Sequence, residues 1–292
     1  MERNNRKPVV GFIGTGVMGR SMAGHIIQAG YPLLVHTRTR SKAEELIDQG
    51  ALWHDSPATL AAAADVIITI VGFPSDVEEI YLGQGGIVPH ARPGTLLIDM
   101  TTSSPALART IHDQAGEKGI GTLDAPVSGG DIGAREARLS IMVGGTKEDF
   151  DKALPLFRQM GSNIVWQGPA GSGQHTKMAN QIAIAAGMLG VCEALAYTAR
   201  SGLDPETVLQ SISGGAAGSW SLSNLGPRMI KGDFAPGFYV KHFLKDMGIA
   251  RESAHAAGIQ TPGLDLAHEM YSKLAADGGG ELGTQGLFRL YQ

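Results

Sequence analysis

Apolar residues flanking Gly11, from Val9 to Ile13, run into glycines at 14, 16 and 19 and then, without a gap, into a helical pattern that ends near Gly30. Few folds can use three glycines at the point where a buried strand becomes a helix. The spacing is G-x-G-x-x-G. In that setting Gly14 allows the tight turn, Gly16 lets a pyrophosphate approach the backbone, and Gly19 lets helix and strand pack closely. The phosphates would rest on the helix N-terminus, where unpaired N–H groups and the dipole favour anions. Gly14, Thr15, Gly16, Val17, Met18 and Gly19 therefore read as a cofactor-binding turn. A strand–helix turn with no ligand is the alternative; a second strand at "PLLVHT" favours the dinucleotide site.

The rest of the chain has two textures. Up to about Trp166 the strand candidates "VVGFIG", "PLLVHT", "DVIITIV", "GTLLIDM", "GTLDAPV", "LSIMVGG" and "SNIVWQG" alternate with helical segments. That alternation predicts βαβ units in a parallel, doubly wound α/β sheet of Rossmann type. After "GPAGSGQ" the strand signals stop. His175 to Ala199 is Ala-rich and apolar on most sides, as a helix buried between two bodies would be, and the remainder reads as helices punctuated by Gly and Pro. Residues 1–168 are thus expected to form the dinucleotide-binding domain. Residues 169–292 are expected to form an all-α domain joined to it by the long helix.

With 292 residues the chain can bury large cores, and a net charge of −4 without blocks of like charge points away from nucleic acid and anionic membranes. Its single cysteine, Cys192, excludes an internal disulfide and fits a reducing compartment. The N-terminal "MERNNRKPVV" lacks the apolar segment of a signal peptide, and apolar stretches such as "VIITIVGF" are too short to span a bilayer. The expectation is a soluble cytoplasmic protein.

The choice of dinucleotide turns on the end of the second strand. NAD is held there by a carboxylate on the ribose 2′-OH, whereas NADP calls for donors and positive charge. The sequence "VHTRTRSK" offers Thr37, Arg38 and Thr39, with no acid before Glu44. NADP is the expected cofactor, with NAD the alternative.

The motifs "GFIGTGVMGRSMA", "GFPSDVEEIYLG", "DMTTSSP", "DAPVSGGDIGAREARLSIMVGG", "GSGQHTKMANQ", "FLKDMGIA" and "GTQGLFRLY" follow one another along nearly the whole length. In this the chain closely resembles the β-hydroxyacid dehydrogenases, the group of 3-hydroxyisobutyrate dehydrogenase, tartronate semialdehyde reductase and the glyoxylate/succinic semialdehyde reductases. The resemblance implies an oxidoreductase that moves a hydride between NADP(H) and a small carboxylate-bearing β-hydroxyacid or 2-hydroxyacid and its semialdehyde. It further implies a homodimer or homotetramer assembled through the helical domain.

Carbonyl reduction puts negative charge on the carbonyl oxygen, so the chemistry needs a positioned proton donor that can take the proton back in reverse. A lone lysine on a helix is ordinarily a solvated charge. Lys177 instead follows Gly171 and Gly173 and begins an apolar helix, which places it at the expected domain interface, and it matches the family's catalytic lysine. Asn180 and Gln181, at i+3 and i+4, are expected to share its face. The family commonly has Asn-Asn here, so Gln181 is a departure that shifts an amide by about one carbon–carbon bond.

By the same resemblance Ser128, Gly129 and Gly130 hold the substrate carboxylate. Val71, Pro74 and Thr102 line the nicotinamide and its ribose, Lys245 reaches the cofactor, and Asp246 orients neighbouring groups. No His/Cys/carboxylate spacing suggests a metal. His175 reads as a polar neighbour, Cys192 as core, and "SGGAAGSW" as a connection between helices. An imine reductase of the same architecture and a non-catalytic cofactor-binding module are the competing readings. Lys177 speaks against the first, and Lys177 together with "DAPVSGG" against the second.

Overall fold

The computed structural model describes residues 6–292. The first half of the polar lead and the start of the expected first domain, residues 1–5, lie outside the described residues. The chain divides into two compact units, one ending at Lys177 and the other Met178–Gln292. The division falls inside a continuous helix, Ser172–Arg200, later than the expected 168/169 boundary. Its first turn is bonded into the first unit through Asp124, as described below.

The first unit holds β1 (Val10–Ile13), β2 (Leu33–His36), β3 (Leu52–Trp53), β4 (Val66–Thr69), β5 (Leu96–Asp99), β6 (Gly121–Asp124), β7 (Val127–Ser128), β8 (Leu139–Gly145) and β9 (Gly161–Gly168). They lie in the order β3-β2-β1-β4-β5-β6-β8-β7, with β9 also on β8. β1 to β6 are parallel throughout. Beyond β6 the expectation of a wholly parallel sheet fails, because β8 runs antiparallel to both β6 and β7. A parallel crossover needs about a dozen residues or more, and only the short helix Gly130–Arg135 stands between β7 and β8. The two-residue strands β3 and β7 carry too little pattern to be read as strands of their own.

Alternation along the strands splits the core. Val10, Phe12, Val66, Ile68, Leu96 and Ile98 face one side, packed with Met22, Ala23 and Ile26 of the helix Val17–Gln28. Ile13, Ile67 and Leu97 face the other, against Leu60, Val77 and Tyr81. Both faces are covered, which is why these strands read as unbroken apolar runs rather than alternating ones. Each large side chain so buried contributes roughly 1.5–3 kcal/mol.

The second unit continues the long helix and adds helices Pro205–Ile212, Trp220–Ile230, Val240–Ala256 and Pro262–Ala276. Punctuation read from the sequence acts locally. Asp204 accepts from Thr207 N–H and Ser219 from Leu222 N–H as N-caps, while Pro205 and Pro262 occupy first-turn positions that need no donor. Phe243 meets Tyr271 edge-on at 5.2 Å in the core, where Cys192 is also buried. Burial lifts the Cys192 thiol to about 12, which makes it inert. The long helix corrects one expectation. By length and composition alone it could cross a membrane, with a mean hydropathy of 1.6 over its most apolar window. In this fold Ala185, Met188, Leu189, Cys192 and Leu195 on it form the core of the second unit.

Polar groups at the strand ends are spent inside the fold. Tyr81 and Thr69 hydroxyls lie 2.9 Å apart, the Thr69 hydroxyl donates to Asp99 Oδ1 at 2.9 Å, and Thr101 N–H donates to the same oxygen at 3.0 Å. Burial lifts the Asp99 carboxyl from the usual 3.8 to about 6, against the lowering effect of those hydrogen bonds. A proton held in the folded chain and lost from the unfolded one means that this contribution is full below about pH 4 and disappears as pH rises through 6. Asp99→Asn keeps an acceptor and has no charge to desolvate. Its unfolding free energy relative to wild type should therefore rise by on the order of 3 kcal/mol between pH 4 and 7, as read by denaturant titration. A difference that stays flat with pH would rule out Asp99 as the source.

Candidate active site

In the first unit, β1 ends at Ile13 and Gly14 turns the chain at φ 98°, a left-handed conformation. A Cβ on Gly14 would strike the Ile70 carbonyl oxygen, and one on Gly19 the Gly14 carbonyl oxygen. Gly16 is different. Its Cβ would meet nothing within 4 Å, so no part of the chain requires glycine there. The helix Val17–Gln28 has no side-chain cap and no acid in its first turn, leaving its N–H groups to an anion. Thr15 is buried and its hydroxyl has no partner among the described residues, while Val17 is exposed and Met18 half-buried beside it. The turn also sits where strand order reverses between β1 and β4, the crevice at which such sheets bind ligands. An open space at Gly16, free N–H groups and an unspent hydroxyl fit a dinucleotide pyrophosphate.

The loop after β2 carries Thr37, half-buried, and Arg38 and Thr39, exposed. Arg38 Nη1 lies 3.3 Å from Asp76 Oδ1, and Asp76 is fixed by accepting Phe73 N–H at 3.0 Å. Sequence reading found no acid in this loop; the fold brings one from the helix Pro74–Leu82. Arg40 is placed over the Trp53 ring at 5.5 Å and so is partly committed to β3.

Val71 and Thr102 lie on adjoining loops that are tied together. Val71 N–H donates to Thr101 Oγ1 at 3.0 Å, extending the Asp99 network to the loop after β4, and Pro74 opens the next helix. Gln174, fully buried in the first turn of Ser172–Arg200, accepts Ser103 N–H at 2.9 Å and donates to the Thr101 carbonyl at 2.7 Å. Thr102 is held between those two bonds. Asp124, at the end of β6, accepts Gly171 N–H at 2.7 Å and Gln174 N–H at 2.8 Å. Burial raises its pKa and these backbone bonds oppose the rise. Lys177, one turn further along this helix, is buried. Ser128 ends β7, and Gly129 and Gly130 follow at φ 130° and 62°, a pair that side-chain-bearing residues rarely adopt and that suits backbone N–H groups cradling an anion. Sequence reading missed Asp99, Asp124 and Gln174. Their signal is an acid closing an apolar strand, in "LLIDM" and "GTLDAP", and a glutamine between two glycines and the lysine.

His175 sits in the same turn, with Nε2 3.3 Å from Arg109, and its pKa is lowered by burial and then by that charge. Among the described residues no group of three or more His, Cys, Asp or Glu could hold a metal ion.

In the second unit, Asn180 Nδ2 donates to Gln181 Oε1 at 2.7 Å, and Gln181 Nε2 donates to Asp246 Oδ2 at 2.6 Å. Lys245 Nζ is 3.0 Å from Asp246 Oδ1, an ion pair that lacks hydrogen-bond alignment at that oxygen. The sequence expectation has Gln181 face the pocket beside Lys177 and Asn180; in the fold Gln181 is buried, and Asp246 with it, and its amide is spent on Asp246 and Asn180. An acceptor-only carboxylate next to a carboxamide draws its NH₂ end, so Gln181 follows Asp246 inward.

Two family models match the chain. Residues 9–168 match the NAD binding domain of 6-phosphogluconate dehydrogenase, and residues 171–291 match the NAD-binding domain of NADP-dependent 3-hydroxyisobutyrate dehydrogenase. An uncharacterised oxidoreductase of Bacillus subtilis is 61% identical over 98% of this chain and 99% of its own. The 2-hydroxy-3-oxopropionate reductase of Escherichia coli is 40% identical over 94% of this chain and 93% of its own. Among solved structures, 3-hydroxyisobutyrate dehydrogenase of Mycobacterium tuberculosis with L-serine superposes with a TM-score of 0.90 at 30% identity, covering 98% of this chain and 99% of that one.

The glycine turn makes a paired prediction. Gly16→Ala should fold with a thermal midpoint close to wild type yet bind reduced cofactor at least about tenfold more weakly, as one lost or misplaced charge-assisted contact would cause. Gly19→Ala should lower the thermal midpoint itself, because its Cβ meets backbone. Equal cofactor affinity in Gly16→Ala and wild type would show that the open space is not a pyrophosphate seat.

Proposed function

The chain belongs to the β-hydroxyacid dehydrogenase family, NAD(P)-dependent oxidoreductases acting on CH–OH groups, and from that premise we propose that it interconverts a small β-hydroxyacid or 2-hydroxyacid with its semialdehyde using NADP(H), with Lys177 as general acid and base. The observation that carries this reading is a buried lysine whose helix is bonded, through Gln174, to the very loop that bears Thr102. The cofactor, when bound, supplies or accepts the hydride. The chain's own part is positional and protonic. Ser128 and the N–H groups of Gly129 and Gly130 hold the substrate carboxylate. The Lys177 ammonium gives a proton to the carbonyl oxygen as negative charge develops there, and takes it from the hydroxyl in the reverse direction. Asn180, one turn along the same helix, offers an amide to the reacting oxygen.

The preference for NADP(H) rests on Thr37, Arg38 and Thr39. Arg38 has a competitor in Asp76, so magnitudes decide. An ion pair this exposed contributes at most about 1 kcal/mol, whereas a charge-assisted bond to a phosphate contributes roughly 1.5–3 kcal/mol. The phosphate wins the arginine. The description of the second family model, which names an NADP-dependent enzyme, supports the same choice.

Lys177→Ala should lower kcat for the preferred semialdehyde by roughly 100-fold or more while leaving NADPH titration unchanged. The panel is glyoxylate, succinic semialdehyde, tartronate semialdehyde and methylmalonate semialdehyde, each followed by cofactor oxidation. Near-wild-type turnover in the variant would remove Lys177 from the mechanism. Wild type should bind NADPH about ten to a hundred times more tightly than NADH, and Arg38→Ala should weaken NADPH far more than NADH. Equal or tighter NADH binding by wild type would overturn the cofactor assignment.

A further inference from the structure

Gln181 stands where the motif match would place a second asparagine, and the structure gives its extra methylene a use. Asp246 is buried on the helix Val240–Ala256 and its carboxylate can only accept. Whatever carboxamide approaches it must present NH₂. Gln181 does so at 2.6 Å, and a planar amide that points its NH₂ one way points its oxygen the other. That oxygen receives the Nδ2 of Asn180 at 2.7 Å. Asn180 is then fixed in turn. One of its two N–H bonds is directed at Gln181, and its Oδ1 faces away from that bond. An asparagine at 181 would withdraw the amide by about one carbon–carbon bond, ~1.5 Å, too far to serve both partners.

We infer that Gln181 is a positioning residue: it carries the polarity of the buried Asp246 carboxylate to Asn180 and fixes which end of the Asn180 amide meets the substrate. This rests on the proposed role of Asn180 beside Lys177 and assigns the cause of its orientation. The half-buried Asn180 thereby offers an acceptor oxygen and one remaining N–H in a set arrangement. Such an amide suits a substrate with a hydroxyl donor next to its reacting carbon, rather than one bearing only acceptors.

The charged surroundings shape the test. On the helix Val240–Ala256, Lys245 pairs with Asp246. His242 lies one turn earlier and is held below the usual imidazole range by burial, then by the charges of Lys245 and Lys241. On its own helix Gln181 follows Lys177 by four residues. Gln181→Glu places a second carboxyl against Asp246. Protonated, it can donate to Asp246 and accept from Asn180 as glutamine does. Ionised, it repels Asp246 and the arrangement breaks, so its own titration should lie well above the usual carboxylate range.

The experiment uses the full chain, labelled with nitrogen-15, and reads side-chain amide resonances, with the Asn180 pair assigned by its absence in Asn180→Asp. Wild type should show a protected, widely separated Asn180 pair. Gln181→Asn should bring it to solvent-like shifts and exchange, with kcat/KM about three- to tenfold lower. In Gln181→Glu the protected pair and kcat/KM should both return as pH falls, a dependence absent from wild type, in which His242 and Lys245 are unchanged. An Asn180 pair unaltered in Gln181→Asn, or a Gln181→Glu variant that shows no added pH dependence, would overturn the inference. Should wild type reduce none of the semialdehydes, the functional reading fails while the amide spectra still decide the relay.

Discussion

The carboxylate of Asp124 receives two backbone N–H groups, from Gly171 and Gln174, at the start of the longest helix in the chain. Those are orphan donors of a helix N-terminus, and an anion is the partner that both their hydrogen-bonding need and the helix dipole favour. The carboxylate is buried, so its desolvation is tolerable only because these donors are there. The bond sets the helix at a fixed height against β6. Everything counted along that helix, Gln174 first and Lys177 next, takes its place from there.

Gln174 passes the constraint on. With its amide spent on Ser103 N–H and the Thr101 carbonyl, the loop after β5 cannot shift without breaking two buried bonds. The Thr101 hydroxyl then accepts Val71 N–H and its own N–H goes to Asp99, which ties in the loop after β4. Loops are ordinarily the mobile part of a sheet protein. Here the ones that flank the cofactor turn are tied down by buried hydrogen bonds, a preorganisation of the kind that catalysis uses.

Polar burial in the second unit follows the same rule with a different outcome. Asp246, Gln181 and Asn180 form a chain in which each amide orientation is forced by the one before it, beginning from a group that cannot donate. Directionality of this kind is not available from apolar packing. It justifies placing a charge in the interior, with Lys245 close enough to compensate it.

By itself the sequence determined everything governed by near neighbours. Seven strand segments were legible; β1, β4 and β5 were so because residues buried on both sheet faces must be apolar in unbroken runs, and the glycine turn because Gly14 and Gly19 would clash if they carried a Cβ. The helix starts at Asp204 and Ser219 were set by side chains that bond three residues ahead. The motif order sufficed for the family. Tertiary structure decided what depends on partners distant along the chain. It turned β8 antiparallel to β6, brought Asp76 to Arg38, committed Arg40 to Trp53, and faced Gln181 inward to Asp246. The physical reason is that a polar side chain's direction is set by whichever donor or acceptor the fold delivers to it. Arg38 and Gln181 each lie far in sequence from the carboxylate that claims them, and no local pattern records that meeting.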